Sequence, residues 1–289
     1  MRRVGAIGAA ALVSVAAACG SSGGAPATTP APATGRSPAA TSAARTPAVR
    51  RGAVVYQPMR STAYVVRRRD SVSVQLPNGL AQTQELTRTI YLTVETSAGA
   101  PMRATIVLDS LVVGGIGISQ ADADSARGTR WSGTLTPEGR LAGLTSDRST
   151  AVGQQLSGML PAFFPRLPTG GARDGAAWTD TLTDTLRAMA FNVRENAVVA
   201  SRAAADSGIR IESTVTFTRS GSGSQFGQVA EVQATGTRHL TSRIRNDGVL
   251  AETTGTESSD MTITVPAVGQ SLPVKQSATF SIALMPPAR

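Results

Sequence analysis

Few side chains in this 289-residue sequence are of a type that carries out chemistry, and their spacing limits what they could do. His239 is the only histidine, and no Gly-x-Ser-x-Gly elbow occurs to pair a serine nucleophile with it. With a single cysteine beside that histidine, the chain lacks the donors for a zinc or other transition-metal site and can form no internal disulfide. Asp122 and Asp124 begin like a calcium loop, but the glycine and distal glutamate of such a loop are missing at the required spacing. A short capped helix or a solvated loop is expected there instead. Asp180 and Asp184 share a strand face with Trp178 and Leu182, as a carboxylate pair or as a solvent-facing edge. Arg67-Arg68-Arg69 is the densest charge outside the N-terminal region, yet successive strand residues point to opposite faces, so the three cannot form one patch. An edge strand guarded by charge is expected, with phosphate or headgroup contact as the functional alternative. Gly221-Ser222-Gly223-Ser224 lacks the lysine and the helix of a phosphate loop and reads as a hairpin connection. No catalytic residue, cofactor or metal ligand is assigned, and a non-catalytic role is expected.

The elements around these residues are mostly strands. Ser61 to Leu76, Ala81 to Thr96 and Arg103 to Val113 alternate apolar with polar residues at period two, separated by Pro77-Asn78-Gly79 and Ala98-Gly99-Ala100-Pro101. Gly128 to Thr136 and Arg140 to Thr145 form a hairpin about Pro137-Glu138-Gly139. Further strands are read over Trp178 to Arg187, Ala190 to Ala204, Ile209 to Thr218, Val229 to Arg245, Val249 to Val265 and Ser277 to Leu284, with Asn246-Asp247-Gly248 as another tight turn. About ten strands are expected. One segment breaks the period: Val152, Leu156, Met159, Leu160, Phe163 and Phe164 fall on one face of an amphipathic helix over 149–164, with Ser149 or Thr150 as cap and Pro161 bending or ending the last turn. Gly128-Thr129-Arg130 and Gly236-Thr237-Arg238, each followed by a glycine turn, raise the idea of two repeated halves.

The N-terminal region reads differently. Arg2 and Arg3, the apolar Val4 to Val15 and the small run Ala16-Ala17-Ala18 form a signal peptide over 1–18, too short to span a bilayer. Residues 20–52, built almost wholly from Gly, Ser, Ala, Pro, Thr and Arg, read as a disordered tether reaching about 30 Å as a coil. A single β-rich domain over 53–289 follows. The net charge of +9 does not call for nucleic acid: six of the 28 basic residues precede residue 53, leaving 22 against 19 acidic ones, a balance of +3 for the domain.

Directly after its small-residue run, Cys19 resembles the lipid-modified cysteine of bacterial lipoproteins, although Ala16 stands where that family prefers leucine. The resemblance implies acylation of Cys19, a membrane as partner and, with Gly20 and Ser21 following, an outer-membrane anchor facing the periplasm. A tethered sheet of long strands interrupted midway by an apolar helix resembles the LolA and LolB lipoprotein carriers. More locally, the Pro137-Glu138-Gly139 turn, the helix, and Pro165, Pro168 and Gly175 leading into Trp178 are similar to a family of uncharacterised secreted bacterial proteins. These resemblances imply a mainly β, α+β fold: a curved antiparallel sheet or half-barrel packed on one helix. Val152, Leu156, Met159, Leu160, Phe163 and Phe164 would then line an apolar ligand site, for a lipid, or pack permanently as core in a module that binds another envelope protein. An unrecognised hydrolase site is the third reading.

Overall fold

A computed structural model describes residues 52–76, 79–115, 118–188, 191–225 and 228–286. Cys19, the expected signal peptide and all of the expected tether before Gly52 lie outside the described residues. Among the described residues, alternation becomes eleven strands: β1 (Thr62–Gln75), β2 (Ala81–Ser97), β3 (Met102–Gly115), β4 (Arg130–Leu135), β5 (Leu141–Ser146), β6 (Ala177–Ala188), β7 (Phe191–Ala205), β8 (Gly208–Gln225), β9 (Gln228–Arg245), β10 (Leu250–Val265) and β11 (Gln270–Leu284). Two short helices join them, α1 (Gln120–Ser125) and α2 (Ala151–Ser157). The strands form one antiparallel sheet in the order β5-β4-β3-β2-β1-β11-β10-β9-β8-β7-β6, open at β5 and β6. Sequence neighbours pair everywhere except at the junction of β1 with β11, where Tyr64 meets Leu284 and Val74 meets Val274.

That junction corrects one expectation. Arg67-Arg68-Arg69 does not guard an edge: β1 is hydrogen-bonded on both sides, so its inward residues are covered. Alternation does hold, since Arg68 is buried and Arg67 and Arg69 face outward. A second correction concerns Gly221 to Ser224, which is no hairpin connection but the continuation of β8, paired with β7 and β9. At Gly221 a Cβ would sit 2.1 Å from the Asn192 carbonyl oxygen, so the small residue permits close strand approach.

The expected helix over 149–164 is shorter than its apolar spacing suggested. Thr150 caps α2, its hydroxyl accepting from the Gly153 N–H at 3.0 Å, but the helix ends at Ser157. Pro161 explains the stop: it has no N–H to donate to the Ser157 carbonyl, and its ring would collide with that carbonyl if the helix continued. The chain resumes as a single 3-10 turn over Leu160–Ala162. Both α2 and this turn belong to the stretch that leads from one edge strand to the other, and α2 itself contacts β5 and β6.

Two interior clusters account for most of the buried apolar side chains. The larger gathers Tyr64, Ile90, Leu92, Ile106, Trp131 and Ile282 from the sheet with Val152, Leu156, Leu160, Phe163 and Phe164 from the helical stretch. The smaller, at the other end of the strands, is made of Val72, Val74, Val193, Val232, Met261, Ile263 and Val274 with their neighbours. Residues 54–59 strap across the first: Val54 exchanges backbone hydrogen bonds with Ala172, and the Tyr56 N–H donates to the Pro137 carbonyl at 2.9 Å. Gly139, at φ +84°, makes the adjacent turn, and a Cβ there would strike the Tyr56 ring at 2.5 Å. Among the described residues, no helix is long and apolar enough to cross a membrane.

Candidate functional site

The helical stretch and the sheet do not fit flush. Between them lies a cavity of about 130 Å³, roofed by Leu156, Met159, Leu160 and Phe163 and walled by Val66, Ile90, Leu92, Leu240, Phe280 and Ile282 from four strands. Of the six residues expected to form one apolar face, four therefore line the cavity. The other two, Val152 and Phe164, are buried in the surrounding core. Sheet side chains project at period two, while the roof breaks at Ser157 and resumes as a 3-10 turn, so its side chains stand at irregular heights over the sheet.

The roof is pinned by aromatic contacts. Tyr56 meets the edge of Phe164 at 5.2 Å between ring centroids, Phe164 meets Phe163 at 4.9 Å, and Phe163 meets Tyr64 at 5.1 Å, all near perpendicular. Each tyrosine hydroxyl is anchored in turn, Tyr56 donating to the Pro165 carbonyl and Tyr64 to the Leu250 carbonyl, both at 3.0 Å. Burial raises the ionisation of both phenols above the ordinary tyrosine range, so they remain hydrogen-bond donors.

The far wall of the cavity is ionic: Arg68, Arg238 and Glu257 reach it from β1, β9 and β10. They belong to a belt of buried charge running across the inward face between the two apolar clusters. Its larger part is a closed ring of four residues. Arg219 donates through Nε to Glu195 at 2.7 Å and through Nη2 to Glu257 at 3.1 Å; Arg238 donates through Nε to Glu257 at 2.7 Å and through Nη2 back to Glu195. Both guanidiniums also lie over the Phe217 ring, at 4.3 and 4.5 Å from its centroid. Nearby, Asp70 accepts from Arg68 Nε and Arg88 Nη2, each at 2.9 Å, and from Gln276 Nε2 at 3.3 Å. Strand register places these groups together, since Asp70 stands opposite Ala278, Ala278 opposite Glu257, and Glu257 opposite Arg238.

Burial is the largest single influence on Glu257 and opposes its charge. Arg219, Arg238 and Arg68 together outweigh it and hold the carboxyl well below the usual range. A carboxylate fixed in this state cannot donate a proton near neutral pH, so its role here is to bind the guanidiniums. The belt went unnoticed at the level of sequence because Arg and Glu at mid-strand read as solvent-facing.

The remaining chemical candidates are dispersed. His239 is exposed on the opposite face of β9 from Arg238, with Nδ1 3.4 Å from the Thr214 hydroxyl. Asp122 and Asp124 sit on α1, which is the expected capped helix: Ser119 accepts from the Asp122 N–H at 3.1 Å, and Asp124 accepts from Gln120 Nε2 at 2.8 Å. Asp180 pairs with Arg166 at 3.4 Å, whereas Asp184 is buried opposite Glu195. Among the described residues, no cluster of three or more His, Cys, Asp or Glu side chains could hold a metal ion. No protein-family model matches the chain, and no curated protein matches its sequence.

Proposed function

We propose that this chain is an envelope lipoprotein, exported and held through acylated Cys19, whose β-rich domain binds an apolar ligand without catalysing a reaction. The observation that carries the reading is the cavity between the Leu156 to Phe163 roof and the sheet, since a dry concave surface is where an apolar group gains burial energy. In this reading the open sheet is a half-barrel and the 151–164 stretch lies across its mouth, which contact of α2 with both edge strands supports. The reading extends the sequence's resemblance to the LolA and LolB carriers. An outer-membrane anchor facing the periplasm follows from Gly20 and Ser21 after the cysteine.

The test is uptake of a small apolar fluorophore by the purified full chain, repeated with Met159→Trp. Met159 is half-buried in the roof, so the larger ring can enter the cavity without displacing a strand. Saturable uptake by the native chain and none by the variant is expected. Equal uptake by both would favour the reading in which the face is only core and the domain serves as an interaction module. Separately, Cys19→Ser should release the protein from membranes.

A further inference from the structure

We infer that the ionic belt is a length stop, so that the site takes a compact apolar group of about six carbons and excludes the body of a long acyl chain; this rests on the cavity being the ligand site. Volume is the first argument. At about 130 Å³ the cavity is close to the roughly 150 Å³ apolar hole that accepts benzene, and well below the roughly 300 Å³ at which pockets for larger ligands begin. The second argument is what bounds it. A chain filling the cavity meets Arg68, Arg238 and Glu257 on its wall, none of which can step aside alone. Arg238 is held by two carboxylates and by Phe217, Glu257 by two guanidiniums, and Arg68 by Asp70. Pushing a methylene among them would separate opposite charges that are buried or nearly so, at the cost of their mutual attraction.

Third, more apolar interior exists on the other side of the belt, around Val232, Met261 and Val274, yet none of it lines this cavity. Hydrophobicity alone would let a long chain thread from one cluster into the other; the belt divides them. A neutral polar end on the ligand would therefore remain away from the inner wall, where each charged group already has an opposite partner.

The experiment is a series of 1-alkanols from four to twelve carbons, titrated into the full chain by calorimetry. Affinity should tighten about fourfold per methylene up to about six carbons and then stop changing. Met159→Ala, which enlarges the roof end, should move the plateau outward by one or two carbons, and Met159→Trp should abolish binding at every length. The neutral pair Arg238→Gln with Glu257→Gln, if it folds, should soften the plateau. Affinity that keeps rising through twelve carbons in the native chain would overturn the length stop while leaving the ligand site intact. No binding at any length would overturn the ligand site itself.

Discussion

The two apolar clusters on either side of the belt are built from different material. The far cluster draws on β1, β7, β9, β10 and β11, and its principal members are Val, Ala, Ile and Met. The mouth-side cluster mixes strand residues with the strap, α2 and the 3-10 turn, and it carries Tyr56, Tyr64, Trp131, Phe163 and Phe164. Side chains of regular strands alternate at one period. A helical stretch broken by Pro161 offers large side chains at irregular heights, and the space left over is the cavity. The two ends of one sheet thus differ in what covers them, with charge between them: the helical stretch roofs one end, and a wide depression touching Arg219, Ala234, Met261 and Val274 marks the other.

The comparison breaks most severely if the belt is not structural. Glu257→Gln leaves Arg219 and Arg238 buried with one carboxylate fewer, and Arg68→Gln leaves Asp70 short of a donor. Each should cost about 3–5 kcal/mol in urea unfolding of the full chain; a loss under about 1 kcal/mol in both would mean that the belt is solvated and divides nothing. Acid gives an independent view of the same group. Because Glu257 ionises at lower pH in the folded than in the unfolded chain, its contribution is fully present above the unfolded value of about 4.3 and disappears as pH falls towards the folded value. Stability should therefore decline below about pH 5, and the Gln variant should decline less steeply across that range.

A second pair of substitutions compares the packing of the clusters directly. Ile263 is nearly inaccessible in the far cluster, so Ile263→Ala should cost about 2–4 kcal/mol through lost burial and a new void. Met159 is half-buried beside space that already exists, and Met159→Ala should cost about 1 kcal/mol or less. Equal losses would show that the cavity end is packed as tightly as the far end, and the ligand reading would lose its basis.

Strands were legible because the inward rule of period two was obeyed and turns such as Asn246-Asp247-Gly248 were placed between the runs. What escaped was any contact between distant parts of the chain. The pairing of β1 with β11 joins residues 200 or more positions apart, and without it β1 looked like an edge. The belt escaped for a related reason. Val66, Arg68, Asp70, Val72 and Val74 share one face of β1, so the charged residues occupy core positions by parity, but a charge in such a row reads as exposed until its partners from β2 and β11 are known. Four of the six apolar residues assigned to the site do line the cavity. Of the three charged ones on its wall, Arg68 reads from sequence as part of an edge-guarding cluster, and Arg238 and Glu257 carry no site expectation.

The smallest expected effect tests the same division one residue further along β1. Arg69 pairs with Glu85 at 2.8 Å, much as Arg68 pairs with Asp70 at 2.7 Å, yet its side chain is 62% exposed against 5% for Arg68. In water the attraction of such a pair is screened and largely offset by the entropy of holding two long side chains together. Arg69→Gln should therefore change stability by no more than about 0.5 kcal/mol, and raising the salt concentration should remove even that difference. If instead Arg69→Gln cost as much as Arg68→Gln, burial would not be what separates them. The alternation that sets one arginine inside the sheet and its neighbour outside would then be wrong for β1, and the register that assembles the belt would be wrong with it.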